Sequence, residues 1–332
     1  MRGGLTRTWC DGSPLPKGRP VSAEIDIHHT DSNGRHTDRA RRVLVVGEAL
    51  IDIIERDDVR TEHVGGSPAN VALALGRLGH DSTLMTDIAD DARGLRITEH
   101  LRASGVEVLH GDSERTSTAR ATLHEDGSAA YAFDLTWNPP TARPVTADHL
   151  HTGSIATYVE PGSSTVIELL EALPANVTRS VDANIRPALA GDHRDVLARF
   201  ERVAAACDIV KLSDEDADWL YPTMQLDDVL TRLLALRSQL AVVTRGSDGL
   251  LLASAVARVA VPAARVDVVD TIGAGDSAMG AILDGAFRQG LGAPKGMLLD
   301  EPSLRVIGHW AARVAGITAS RAGADPPTRA EI

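Results

Sequence analysis

The chain has 332 residues with 34 Lys and Arg against 46 Asp and Glu, a formal charge of −12, which argues against nucleic acid as a partner because phosphate-backbone binding needs a basic surface. Its two cysteines, Cys10 and Cys207, make neither a disulfide framework nor a zinc site and suit a reducing cytoplasm. No apolar run approaches the roughly 18 residues that span a bilayer and the N-terminus lacks a signal-peptide core, so the expectation is a cytoplasmic protein with no membrane partner.

Residues 1–40 are polar, rich in Gly, Pro, Arg and His, and without periodicity; they are predicted to form a disordered extension. His28, His29 and His36 read there as solvated tail residues rather than metal ligands. From Val43 onward, short aliphatic runs alternate with amphipathic ones. Val43–Val46, Ser180–Val181, Ile209–Leu212 and Leu240–Thr244 have the character of buried strands, while Val166–Leu173, Val196–Ala206 and Val229–Leu236 carry helical periodicity. That alternation predicts an α/β fold, a mostly parallel sheet with helices on both faces. Aromatics are only 3% of the chain, so its core must be aliphatic. Two segments break the rhythm, Ile53–His63 and Ser117–Leu135, the latter with alternating Thr118, Arg120 and Thr122 and a turn at Asp126-Gly127. They predict a small antiparallel patch, so the chain reads as one domain over 41–328 with lid segments near 53–63 and 117–138. Ligands of such sheets bind at the C-terminal ends of the strands.

Two stretches carry chemistry. Val64-Gly65-Gly66-Ser67-Pro68-Ala69-Asn70 is a Gly-Gly turn running into a helix that ends at Gly79. Pro68 suits a first helical position and Gly79 a C-terminal cap. The glycines let backbone pack against a ligand, with Asn70 on the first turn pointing an amide at the same place. The second stretch, Asp270-Thr271-Ile272-Gly273-Ala274-Gly275-Asp276-Ser277, precedes an apolar-periodic helix through Ala278, Ala281, Ile282, Ala286 and Phe287. Amides at a helix start lack internal partners and carry the positive end of the dipole. A Gly-Ala-Gly run lets them approach an anion unobstructed. An isolated Gly-Asp here would be a helix cap. A strand-like run at Val266, Val268 and Val269 just before it favours a phosphate site with a base built in.

These stretches together resemble the signatures of the PfkB (ribokinase) family of carbohydrate kinases, closest to the fructokinase-like branch, over nearly the whole chain from Val43 to Gly323. Val46-Gly47-Glu48-Ala49-Leu50-Ile51-Asp52 is similar to the family's first strand, and Asp182-Ala183-Asn184-Ile185-Arg186-Pro187 and Asp208–Glu215 to its central strands. Thr244-Arg245-Gly246-Ser247-Asp248-Gly249 is similar to its nucleotide-side turn. The resemblance implies a ribokinase-like three-layer α/β/α fold with a small β lid, acting as a monomer or homodimer on a sugar and ATP.

It also implies residue roles. Asp276 is the base, and the amides around Gly273, Ala274 and Gly275 form the anion hole. Asp52, closing the first strand, accepts hydrogen bonds from sugar hydroxyls, with Gly65, Gly66 and Asn70 beside it. Asn184, Lys211, Thr244, Gly246 and Gly249 face ATP. Asp216 aligns with the glutamate that organises Mg2+ through water, and Glu215 competes for that role. Arg186 is open between a phosphate-facing role and pairing with Asp182. Asp270, Ile272, Arg321 and Gly323 match a monovalent-cation loop, K+ in the family, although Pro327 stands where the family has a serine. Trp310 reads as packing.

Phosphoryl transfer needs positioning, charge stabilisation and a base, which these residues supply. The expected activity is transfer of the ATP γ-phosphate to a primary hydroxyl, fructose being the leading acceptor. Ribose, 2-keto-3-deoxygluconate or a nucleoside are the rival acceptors, and a non-catalytic sugar-binding regulator is the rival of another class. A nicotinamide dehydrogenase is disfavoured because no Gly-x-Gly-x-x-Gly follows the first strand.

Overall fold

The computed structural model describes residues 40–56, 59–123, 129–140, 146–291 and 299–332. Residues 1–39 of the predicted extension and the turn at Asp126-Gly127 lie outside the described residues. The strands of the first half are β1 (Arg42–Val46), β2 (Leu50–Arg56), β3 (Val59–Gly65), β4 (Asp81–Thr86), β5 (Val106–His110), β6 (Thr118–Leu123) and β7 (Ala129–Asp134). Those of the second half are β8 (His149–Gly153), β9 (Thr178–Asp182), β10 (Ile209–Ser213), β11 (Leu240–Thr244), β12 (Leu250–Ala253) and β13 (Arg258–Val261). The helices are α1 (Ser67–Arg77), α2 (Ala92–Arg102), α3 (Gly162–Ala172), α4 (Pro187–Ala190), α5 (His193–Ala205), α6 (Asp214–Leu220), α7 (Leu226–Ala235), α8 (Ala274–Arg288) and α9 (Glu301–Ala319).

Among the described residues, nine strands form one sheet in the order β13-β12-β11-β10-β9-β8-β1-β4-β5. The strands from β11 to β5 in that order pair in parallel, and only the edge pairs β11–β12 and β12–β13 are antiparallel. Period-two alternation explains the two cores. Val43 and Val45 of β1 face α1, α8 and α9, whereas Leu44 and Val46 face the opposite layer with α3, α5 and α7. Both cores are mainly aliphatic. Each fully buried Val, Leu or Ile contributes roughly 1.5–3 kcal/mol, so the scarcity of aromatics costs the fold little.

Three expectations need correction. The run Val46–Asp52 is not one strand: β1 ends at Val46, and Asp52 belongs to β2 in a separate four-stranded sheet ordered β3-β2-β6-β7. The break falls at Gly47, where a Cβ would lie 2.2 Å from Pro68 Cγ, so the chain passes under the start of α1 before β2 begins. The small sheet is mixed rather than antiparallel, because β2 and β6 pair in parallel while β2–β3 and β6–β7 are antiparallel. Finally, Val266, Val268 and Val269 form no strand; they are exposed and irregular, Val269 bonding only through its amide to the Ala319 carbonyl.

Helix α8 sits centrally because its sequence is small. Gly280 allows Ala74 of α1 to approach, with a Cβ there falling 2.8 Å from the Ala74 Cβ, and Gly285 does the same for Ile307 of α9. Every residue from Asp276 to Phe287 is therefore buried. This close packing fixes the head of α8 relative to the head of α1.

Candidate active site

The heads of α1 and α8 meet at one carboxylate. Asp276, in the first turn of α8 and only 8% exposed, accepts hydrogen bonds from Ser67 Oγ at 2.7 Å and from Asn70 Nδ2 at 2.8 Å. Asn184, after β9, donates to the same Oδ1 as Ser67 at 3.3 Å. Asn184 holds a left-handed φ of 37°, uncommon for a residue with a side chain. Asn184 thus lies against the candidate base, although the resemblance assigned it to ATP.

Gly273 caps α8 with φ 73°, and a Cβ on it would lie 2.5 Å from the Ala324 Cβ. The chain must therefore be glycine there. Gly275 is exposed, and with Ala274 and Asp276 it forms the helix start whose amides have no intrahelical acceptor. Helix starts of this kind bind phosphate, and here the Ala274 amide donates to the Thr271 carbonyl at 3.2 Å.

Lys211 lies on the protein side of this turn. Its Nζ is 3.7 Å from where a Gly275 Cβ would be and 2.6 Å from Asp182 Oδ2. Both side chains are buried, 4% and 0% exposed. Burial raises the Asp182 carboxyl to about 6, with Lys211 pulling the other way. Of the two readings of Arg186, pairing with Asp182 is therefore not observed. Its guanidinium instead donates to Asn184 Oδ1 at 2.5 Å, while its amide donates to the Tyr158 hydroxyl at 2.9 Å.

In the acidic run, Asp216 and Glu215 separate clearly. Asp216 is buried and closes a capping box: its Oδ2 accepts from the Ser213 amide at 2.9 Å, and Ser213 Oγ accepts from the Asp216 amide at 2.9 Å. Its Oδ1 accepts from the Ile185 amide at 2.7 Å, tying α6 to the loop that carries Asn184. Glu215 is exposed. Among the described residues no three His, Cys, Asp or Glu side chains converge as a metal-ligand set.

On the lid side, Asp52 of β2 stands opposite His63 of β3. A Cβ on Gly65 would fall 2.0 Å from Asp52 Oδ2, so Gly65 is the space that the carboxylate occupies. Gly66 takes φ 104° over the Glu48 carbonyl. Burial raises Asp52 to about 6, opposed by Arg186 and His63 and reinforced by Asp276. Glu48, 5% exposed, is raised by burial to about 7, and its Oε2 has no hydrogen-bond partner.

On the other side, Thr244 ends β11, and Gly246 and Gly249 bend the following turn at φ 49° and 83°, closed by the Arg245 amide on the Gly249 carbonyl at 2.8 Å. Asp270 joins two loops: Oδ1 accepts from the Ile272 amide at 3.0 Å and Oδ2 from the Gly323 amide at 2.9 Å. Arg321 directs its side chain to Glu331 and Asp325. Trp310 is half-buried against the core with Arg329 5.9 Å over its ring.

Three site residues escaped the sequence reading. Ser67 was visible only as the residue between Gly66 and Pro68, Glu48 lay inside a quoted motif, and His63 had no signal short of the β2–β3 register.

A family model described as pfkB family carbohydrate kinase matches residues 40–330. The fructokinase of Rhizobium leguminosarum bv. trifolii is 36% identical over 281 residues, covering 79% of this chain and 85% of its own. Fructokinase-1 of Zea mays is 32% identical over 321 residues, 88% of this chain and 97% of its own. The solved structure of Xylella fastidiosa fructokinase with bound ATP has a TM-score of 0.74 at 25% identity, covering 86% of this chain and 94% of that one. The ribokinase-like fold and the carboxylate at the head of α8 thus sit within a match that spans nearly all of the described chain, and the chain belongs to the pfkB family of carbohydrate kinases.

Proposed function

We propose that this kinase transfers the γ-phosphate of ATP to a primary hydroxyl of fructose. The observation that supports it best is Asp276, fixed by Ser67 and Asn70 at the head of α8, with the Asp52 carboxylate close enough for Asp276 to raise it. In this reading the sugar lies between the lid strand β2 and the head of α1. Asp52 accepts hydrogen bonds from its hydroxyls, and Gly65, Gly66 and Asn70 line the same space. The acceptor hydroxyl is presented to Asp276, which takes its proton late, once the oxygen has become acidic by bonding to phosphorus. The amides at Gly273, Ala274 and Gly275 receive the charge of the phosphoryl oxygens.

ATP then runs from this cradle toward Thr244, Gly246 and Gly249. Asp216 and Glu215 are the residues that would organise Mg2+ through water, and the ion would neutralise phosphate charge when bound with the nucleotide. Lys211 supports the cradle from its protein side, and Asn184 orients the base. A K+ ion is assigned to the loops that Asp270 joins, Ile272 on one and Arg321 and Gly323 on the other. The setting is cytoplasmic.

The fructose assignment follows the fructokinases of Rhizobium leguminosarum bv. trifolii and Zea mays. Its test is ADP release with Mg-ATP across sugars, keto-acids and nucleosides. Fructose should give the highest specificity constant. A preference for ribose, 2-keto-3-deoxygluconate or a nucleoside overturns the acceptor, and no ADP release with any acceptor overturns the kinase reading in favour of a regulator.

A further inference from the structure

Asp182 and Lys211 occupy matched positions on neighbouring parallel strands, so both side chains leave the same face of the sheet, toward α8. Burying two charges costs several kcal/mol per ion, and well-packed apolar residues do as well or better for stability. The pair therefore calls for a reason other than fold stability. One lies within reach: Nζ is 3.7 Å from the position a Gly275 side chain would take, under the first turn of α8. Lys211 is only 3% exposed while Gly275 is exposed, so the ammonium is buried on the side of the turn to which a Gly275 side chain would point.

His151 of β8 faces the pair and is pushed down to about 3 by burial and by Lys211, so its ring is neutral. Its Nδ1 is engaged with Ser180 at 2.8 Å, and its Nε2 has no partner. Asp216 of α6 and Asp276 of α8 act on Asp182 only through space. A buried lysine without a partner loses its proton to desolvation. The carboxylate in contact with Lys211 is Asp182, which accepts from Nζ through Oδ2 at 2.6 Å while its Oδ1 has no hydrogen-bond partner.

We infer that Asp182 is a positioning residue for phosphoryl transfer, holding Lys211 as an ammonium beneath the first turn of α8 so that the cradle carries fixed positive charge on its protein side. This rests on the proposed kinase reading. A charge that acts through the turn strengthens with the charge of the transition state, so its loss falls on kcat. A lysine that bound nucleotide directly would instead show its loss in the KM for ATP.

The test compares wild type, Asp182→Asn and the double variant Asp182→Asn with Lys211→Met, measuring kcat and KM for ATP from about pH 6 to 10. Asp182→Asn keeps the volume and an acceptor oxygen but removes the negative charge that pairs with the lysine. Its kcat should fall by about tenfold at neutral pH and further as pH rises, with KM for ATP within about threefold of wild type. The double variant should fold, shown by its circular dichroism, and should have a kcat lower by about 10²-fold, the scale of a lost oxyanion-hole donor, flat with pH. If Asp182→Asn fails to fold, the double variant decides alone. A wild-type pH profile in Asp182→Asn, a loss carried by KM for ATP, or near-normal turnover in the double variant overturns the inference. Wild type inactive on every acceptor overturns the kinase reading instead.

Discussion

Ser67 Oγ donates to Asp276 Oδ1 at 2.7 Å across 209 positions of sequence, joining the first turn of α1 to the first turn of α8. The bond fixes the direction of the Asp276 carboxylate, the proposed base, while Asn70 holds the other oxygen. A hydrogen bond to a charged group is worth about 1.5–3 kcal/mol. Ser67→Ala should therefore lower kcat/KM for the sugar by roughly 10- to 100-fold, with little change in ATP affinity. Steady-state rates with either substrate varied check this.

Gly65→Ala tests the sugar side without altering a charge. The new Cβ would fall 2.0 Å from Asp52 Oδ2, so the carboxylate must move. Gly65 lies in regular β3 and has no left-handed φ, so the backbone itself tolerates alanine. Sugar affinity should drop by roughly tenfold or more, equivalent to at least about 1.4 kcal/mol, while binding of an ATP analogue holds. Calorimetry with each ligand separates the two.

The raised carboxyls set a pH dependence of opposite sign for binding and for stability. In the proposed sugar site Asp52 accepts as a carboxylate, so affinity for the sugar should fall as pH drops through about 6. For stability, Glu48 is raised from 4.5 to about 7, chiefly by burial, so the folded state holds its proton more tightly than the unfolded state. Its contribution is present below about pH 4.5 and is lost as pH rises through 7, by roughly 3 kcal/mol at the upper end. Glu48→Gln, which has no proton to lose, should raise the Tm at pH 8 more than at pH 5. An equal shift at both values contradicts the assignment.

The stretches whose structure rests on local pattern were legible in the sequence. Leu240–Thr244 is a strand with the expected ends, and the Gly-Ala-Gly-Asp run does open a helix, because a buried parallel strand and a helix start each write their requirements into adjacent residues. Asp52 was misplaced because Val43–Val46 and Ala49–Ile51 are both apolar and only Gly47 and Glu48 stand between them, so β1 and β2 read as one strand. What separates them is the contact of Gly47 with Pro68, which no local pattern records. Ser67, Glu48 and the Asp182–Lys211 pair depend on residues brought together by the sheet order, so their partners are invisible along the chain. Val266, Val268 and Val269 failed in the other direction, since β-branched alternation without a pairing partner makes no strand.

Asp284, 1% exposed near the C-terminal end of α8, gathers Arg329 at 2.6 Å, His80 at 3.0 Å and Arg288 at 3.3 Å. These contacts fasten the chain's last residues to α8, away from Asp276. Asp284→Ala removes the acceptor shared by buried His80 and by two partly exposed arginines and should cost about 1–3 kcal/mol, lowering Tm by a few degrees. Below that temperature kcat should stay near wild type, which thermal melts and rates on the same sample compare.

The proposed mechanism gives the central role to Asp276, and Asp276→Asn isolates it because shape and hydrogen-bonding reach persist while the proposed base is removed. Loss of a general base costs roughly 10²–10⁴ in rate. The decisive measurement is the turnover of Asp276→Asn with Mg-ATP and fructose, beside calorimetric titrations of both ligands. Turnover should fall by at least about a hundredfold with sugar and nucleotide affinities near those of wild type, whereas near-normal turnover would show that Asp276 does not take the proton.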